Sequence, residues 1–116
     1  MRTVSFYRTE SGQCPVIDFL DSLNPKQATK VTWVLRLIEE LNSVPRGYFR
    51  KLVDSNDIWE IRVDIARDTF RLLSFFDGSN LVIVDHAFAK KTRKTPRSDI
   101  RLAEKRRQDY FMRNSR

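Results

Sequence analysis

The chain has 116 residues, the usual size of a single domain, and combines 41% hydrophobic with 32% charged residues. Its apolar runs are too short to cross a bilayer, its N-terminus lacks the apolar stretch of a signal peptide, and its single cysteine excludes an internal disulfide. We therefore expect one cytoplasmic domain over residues 1–116 with no membrane contact, and the net charge of +7 favours a polyanionic partner.

The first part of the chain predicts one strand and two helices. Thr3–Tyr7 alternates as a strand does, whereas the apolar residues after Pro15 and after Pro25 recur at helical spacing. Asn24 is a suitable cap for the second helix, and the short connection implies that the two helices are antiparallel. The predicted elements are a strand over 3–7 and helices over 15–23 and 25–41.

From residue 48 the apolar period changes to two, which predicts four strands joined by short turns. The last of them, Leu81–Val84, is almost entirely apolar and is expected to be central. Four successive strands of this kind predict an antiparallel meander, followed by a helix from Pro96 to about Met112. The fold class is therefore α+β, with strands predicted over 49–53, 58–64, 69–76 and 81–84.

Charged residues on the strands suggest a site for an anion. Glu60 and Arg62 share one face of their strand, and Arg71 lies in a strongly apolar strand where an unpaired cation would be costly. We expect Arg71 to project beside Arg62 on the polar face, where two arginines indicate a shared anion, with Lys51 from the neighbouring strand. Alternating charges on a strand are more commonly only a solvated face.

The positive charge is concentrated at the C-terminal end. Residues 90–116 hold eleven Lys or Arg against three Asp or Glu, a balance of +8, whereas residues 1–89 hold eleven against twelve, a balance of −1. His86, the only histidine, is expected just after the central strand, and Phe88 packs in the core or stacks on an RNA base. Phosphate binding is predicted for the cations that follow, which are Lys90, Lys91, Arg93, Lys94, Arg97 and Arg101.

The sequence has no motif for a metal site or for a glycine-rich phosphate loop. One histidine, one cysteine and scattered carboxylates offer no spacing for a metal site, and the three glycines are too far apart for a phosphate loop. We therefore expect neither a metal nor another cofactor.

Four segments occur in an order that resembles a known family. They are YFRKL from Tyr48, IWEIRV from Ile58, FRLLSF from Phe70 and HAFAKKTRKTP from His86, and a charged helix follows. Together they resemble the RelE/HigB toxins, in particular the phage-derived HigB-like branch, over nearly the whole chain. The resemblance implies a RelE/ParE-like fold with two N-terminal helices packed on a small antiparallel sheet and a basic C-terminal helix.

The same resemblance implies a function and a set of site residues. The function is that of a type II toxin that cleaves mRNA on the translating ribosome, in a heteromeric complex with a HigA-like helix-turn-helix antitoxin. Arg62 and Arg71 would stabilise charge, His86 or Glu60 would act as base, and Lys90 or Lys91 as acid or phosphate anchor. The alternatives are a ParE-like inhibitor that binds DNA gyrase and a non-catalytic RNA-binding protein.

Overall fold

The structure, a computed structural model, describes residues 1–114. It confirms the α+β class, with three helices and a mixed sheet of five strands. None of the helices in this part of the chain is long and apolar enough to cross a membrane. In chain order the elements are β1 (Thr3–Phe6), α1 (Pro15–Asp21), α2 (Pro25–Glu40), β2 (Phe49–Lys51), β3 (Trp59–Ile65), β4 (Asp68–Asp77), β5 (Leu81–Ala89) and α3 (Arg97–Asn114).

The strand order across the sheet is β1-β5-β4-β3-β2. The last four strands form the expected antiparallel meander, but β1 pairs with β5 in parallel, from Thr3 opposite Leu81 to Phe6 opposite Val84. The prediction of a wholly antiparallel sheet is therefore wrong at this edge. A four-residue strand shows by its alternation which side chains share a face, but not the direction of a partner far along the chain.

Helices cover both faces of the sheet. On one face α2, which begins with a capping box formed by Asn24 and Gln27, buries its apolar side against the sheet. On the other face, α3 places Ile100 and Ala103 against Leu73 and other apolar residues of the central strands. The two apolar layers account for the alternation read in β3 and β4.

A bulge lengthens β5 beyond its predicted end. Ser74 pairs with Val84 but Leu73 pairs with His86, so Asp85 has no partner across the strands. The expectation that the strand stops at Val84 and that His86 follows it is wrong, because β5 continues to Ala89. The bulge accommodates a polar residue that ends the apolar run in the sequence without ending the strand.

We expect Asp85→Asn to stabilise the fold near pH 7. The Asp85 side chain is fully buried, and no donor in residues 1–114 bonds to its oxygens. Burial raises the pKa of Asp85 well above its usual range, opposed in part by the charge of Arg106. Because the folded-state pKa is raised, the carboxyl contributes most to the free energy of unfolding below its unfolded pKa of about 3.9. That contribution is lost as the pH rises through the folded-state pKa.

Neutral asparagine avoids this loss. Asp85→Asn should therefore raise the free energy of unfolding by about 1 kcal/mol or more at pH 7, and the difference should vanish near pH 4. Thermal unfolding at both pH values measures it. The exposed Asp54→Asn is the matched control, because asparagine tolerates the positive φ of 59° at that position. An equal change in Tm at both pH values would contradict the titration of Asp85 as the cause.

Candidate nucleic-acid interface

The face of the sheet that carries α3 also carries most of the predicted site residues. Strand register places them in two rows, since residues directly opposite each other in an antiparallel pair share a face. One row contains Arg50, Glu60, Leu73 and His86, and the next contains Arg62, Arg71 and Phe88. The structure therefore brings together four residues that were predicted as catalytic, namely Glu60, Arg62, Arg71 and His86.

Arg71 and Glu60 form a buried ion pair. The Nε atom of Arg71 lies 3.6 Å from Oε1 of Glu60, and each side chain is only 1% exposed. The expectation that Arg71 lies beside Arg62 on the polar face of the sheet is confirmed, since the two arginines are opposite each other, but the side chain of Arg71 is buried there. The anion that compensates Arg71 is the carboxylate of the protein itself, so neither side chain contacts a ligand in this arrangement.

The chain segment that buries this pair is the basic loop, residues 90–96. The guanidinium of Arg71 donates hydrogen bonds to the carbonyl oxygen of Arg93 at 2.6 Å and to Oγ1 of Thr95 at 3.2 Å. The hydroxyl of Thr95 in turn donates to Glu60. These bonds hold the backbone of the loop against the sheet and leave the side chains of Lys91, Arg93 and Lys94 exposed.

A groove of about 650 Å³ lies between the basic loop, the β2–β3 turn and the start of α3; we call it the basic cleft. Leu52, Val53, Pro96 and Ile100 supply its apolar surface, and four cations line it, namely Arg50, Arg93, Lys94 and Arg97. The Arg97 guanidinium also donates to the carbonyl oxygen of Asp54 at 2.9 Å. Cations around an apolar surface suit a single-stranded nucleic acid, whose phosphates and bases need both.

Arg50 was missed in the sequence, and Lys51 was assigned to the wrong face. Arg50 is opposite Glu60 and lies 3.4 Å from its carboxylate, whereas Lys51 is opposite Trp59 and pairs with Asp57 at 2.9 Å. The signal that identifies Arg50 is its neighbour Phe49, which packs into the core beside α2. Because strand neighbours alternate between faces, a buried Phe49 requires Arg50 to point to the other side.

Arg62 and Lys90, the first residue of the basic loop, both lie near the carboxylate of Asp64. Arg62 is half-buried, and its Nε lies 3.3 Å from Asp64. A hydrogen bond from Thr69 and the charges of Arg62 and Lys90 lower the pKa of Asp64. Arg62, a predicted charge stabiliser, and Lys90, a predicted acid or phosphate anchor, are therefore both only half-buried and keep access to solvent.

His86 is held by the first turn of α3. Its Nε2 lies 2.7 Å from Oδ1 of Asp99, its side chain is 14% exposed, and its ring stacks on Phe88 with centroids 5.1 Å apart. The pKa of His86 is lowered, chiefly by burial and to a smaller extent by the charge of Arg106, and Asp99 opposes this lowering in part. A neutral ring beside a carboxylate carries its proton on Nε2, which leaves the lone pair of Nδ1 free to act as a base.

The remaining predicted residues do not line the basic cleft. Lys91 is exposed on the basic loop, and Arg101 lines a second groove along α3 together with Lys105 and Phe111. Phe88 is half-buried between the sheet and the ring of His86, so core packing, one of its two expected roles, is observed.

Comparison with models of known protein families gives a match, which covers most of the chain. No curated protein matches the chain. Residues 18–108 match the family described as phage derived protein Gp49-like (DUF891), a span that extends from α1 to α3 and includes the basic cleft, the basic loop and His86. The chain therefore belongs to the family of phage-derived Gp49-like proteins.

Proposed function

We propose that this protein is the toxin of a type II toxin–antitoxin pair and that it cleaves mRNA on the translating ribosome. The observation that carries the proposal is the basic cleft, in which Arg50, Arg93, Lys94 and Arg97 surround an apolar surface. Gp49-like proteins are related to the RelE toxins, which supports a toxin. Assignment to the HigB branch and a RelE/ParE-like fold is part of the proposal and rests on the sequence motifs.

The proposed partners are the ribosome with its mRNA and a HigA-like antitoxin that carries a helix-turn-helix domain. The place of action is the cytoplasm, where translation occurs. A reading frame for a short helix-turn-helix protein beside the gene for this chain would support the pairing. The charge balance of +8 in residues 90–116 suits binding to ribosomal RNA, and the ribosome would then position the codon.

The proposed chemistry is attack of the ribose 2′-oxygen on the adjacent phosphorus with departure of the 5′-oxygen. His86 accepts the 2′ proton on Nδ1, while Asp99 fixes its tautomer from the other side of the ring. Arg62 stabilises the charge that develops on the phosphate, and Lys90 protonates the leaving oxygen. Glu60 and Arg71 do not contact the RNA but hold the basic loop in place through their hydrogen bonds to it.

A translation reaction tests the proposal. The purified protein is added to a bacterial translation extract, and the mRNA ends are mapped. New ends inside the coding region that depend on translating ribosomes support a ribosome-dependent endoribonuclease. Intact mRNA together with inhibited supercoiling by DNA gyrase would instead establish the ParE-like activity.

The second candidate is an RNA-binding protein that does not cleave. Burial of Glu60 and Arg71 favours it, because two of the five predicted catalytic side chains then have no access to RNA. The same reaction separates the two, since such a protein slows translation while the mRNA keeps its original ends.

The exposed cations of the basic loop should control the salt dependence of RNA binding. We expect Arg93→Ala with Lys94→Ala to weaken binding to a short single-stranded RNA and to reduce the salt slope by about 1.4, since each phosphate contact contributes about 0.7. The fold should persist, because Arg71 bonds to the backbone oxygen of Arg93 and not to its side chain. Affinity measured from low to moderate salt provides the slope.

The matched control for this pair is Arg46→Ala, an exposed cation in the connection that follows α2. It removes positive charge without touching the basic cleft. If it reduced the salt slope as much per cation as the loop variant, binding would be delocalised over the whole surface and the basic cleft would lose its role.

A further inference from the structure

Trp33 lies on the outer side of α2, away from the helix residues that pack on the sheet. The core positions of this helix are Val31, Val34, Leu35 and Ile38, whereas the indole of Trp33 is 46% exposed. Among the exposed large hydrophobic side chains of residues 1–114, Trp33 is the aromatic one. Packing of α2 against the sheet does not account for an indole in this position.

Two neighbouring side chains contact the indole. Its ring meets Tyr48 edge to face with centroids 6.1 Å apart, and the ammonium of Lys30 lies 4.9 Å from the ring centroid. A side chain that is already ordered loses little conformational entropy when a partner covers it. Exposed tryptophans of this kind are the residues that most often dominate binding energy at protein interfaces.

Two apolar grooves lie beside the indole, one of about 380 Å³ and one of about 500 Å³. Trp33 and Thr29 line both grooves, Ala28 lines the first, and Pro25 and Ile65 line the second. Each groove has room for an apolar side chain of a partner. We call Trp33 and the two grooves the Trp33 surface.

The charges of the Trp33 surface have one sign. Lys26, Lys30 and Arg36 line the grooves, and neither groove is lined by an Asp or Glu from the described part of the chain. A partner that covers this surface must bring carboxylates or phosphates opposite these cations. Its apolar contacts must lie between those anions, at the spacing of the grooves.

A polypeptide meets these conditions better than RNA. Residues 1–89 carry a net charge of −1, so this part of the protein has no excess of cations for a polyphosphate, whereas a peptide with a few carboxylates needs only the three local cations. The exposed surface of both grooves is largely apolar, which suits the apolar side chains of a peptide. The Trp33 surface also lies on the opposite side of the sheet from the basic loop, because α2 packs on the face that contains Ile61 and Val63.

We propose that the Trp33 surface binds an acidic polypeptide segment. The segment places apolar side chains in the two grooves and carboxylates on Lys26, Lys30 and Arg36. Since the basic cleft lies on the other face of the sheet, the segment and RNA bind at the same time. The proposal does not depend on what the protein does to RNA.

The test uses a short amphipathic peptide of Glu and Leu as the probe, with a Lys and Leu peptide of the same pattern for comparison. Binding is followed by calorimetry and by the tryptophan emission of the full chain. We expect saturable binding of the Glu/Leu peptide with a blue shift of the emission, and about tenfold or greater weakening by Trp33→Ala and by Lys30→Glu. Trp33→Ala should fold normally, and its thermal unfolding verifies this.

Lys105→Glu is the charge-matched control, because Lys105 is exposed on α3 on the other side of the sheet, and it should bind the peptide as the unaltered chain does. Three results would overturn the proposal: no binding of the Glu/Leu peptide, equal binding of the Lys/Leu peptide, or unchanged affinity of Trp33→Ala. Displacement of the peptide by a short U-rich RNA, with loss of the blue shift, would assign the Trp33 surface to RNA instead.

Discussion

Replacing Glu60 with alanine should lower the free energy of unfolding by about 3–5 kcal/mol, the usual cost of removing one partner from a buried ion pair. If the basic loop kept its position, Arg71 would be buried without the carboxylate that pairs with it, and the hydroxyl of Thr95 would have lost its acceptor. We expect the loop to leave the sheet so that Arg71 reaches water. Urea unfolding followed by tryptophan fluorescence measures the change in stability.

Trypsin reports on the loop itself, since it cuts after the Lys and Arg residues of the segment once its backbone is free. We expect rapid cleavage within residues 90–96 in Glu60→Ala, at temperatures where the helices of the domain remain intact. As a control, Glu40→Ala removes an exposed carboxylate from the end of α2. It should change neither the free energy of unfolding nor the rate of trypsin cleavage. The double variant Glu60→Ala with Arg71→Met should recover much of the stability, because it removes both charges of the buried pair.

If Glu60→Ala were as stable as Glu40→Ala, the buried pair would not hold the fold together. If the double variant recovered stability but kept a protected loop, the loop would be held by other contacts. Either result would remove the role that we assign to Glu60 and Arg71 beneath the basic cleft.

The surroundings of Arg71 could be predicted only in part from the sequence. A cation in a strand as apolar as β4 must have a partner, and the sequence showed both this and the partner's neighbourhood, because Glu60 and Arg62 were expected on the same face. It did not show that the basic loop would fold back over them. That contact joins Arg71 to a segment more than twenty residues later, through one backbone oxygen and one hydroxyl. No periodicity of the chain encodes such a bond.

The helices and the strands of the meander were predictable because each has its own apolar period and its own turn residues. The parallel pairing of β1, the bulge at Asp85 and the register of β2 were not, because each depends on which strand lies beside it. The last two matter for the site. The bulge keeps His86 inside β5, facing α3, and the register places Arg50, and not Lys51, at the basic cleft.

Substitution of His86 tests the proposed chemistry most directly. We expect His86→Gln to reduce mRNA cleavage by about 10²–10⁴, the usual contribution of a positioned base, while RNA affinity changes little. Asp99→Asn should also reduce the maximal rate, because it no longer holds the proton on Nε2. Single-turnover cleavage on programmed ribosomes separates the rate from binding.

The pH dependence distinguishes a base from a packing residue. Because burial lowers the pKa of His86, the ring should stay neutral and active to a pH below its usual pKa of about 6.5, and the rate should fall only as Nδ1 becomes protonated. Asp99 raises that pKa, so Asp99→Asn should move the acid limb of the rate profile to lower pH as well as reduce its plateau. Thr92→Ser, an exposed change on the basic loop, should leave the position of the limb unaltered. A reduced plateau with an unmoved acid limb in Asp99→Asn would mean that the His86–Asp99 pair only holds α3 against the sheet. The base would then have to be one of the cations of the basic loop, such as Lys90.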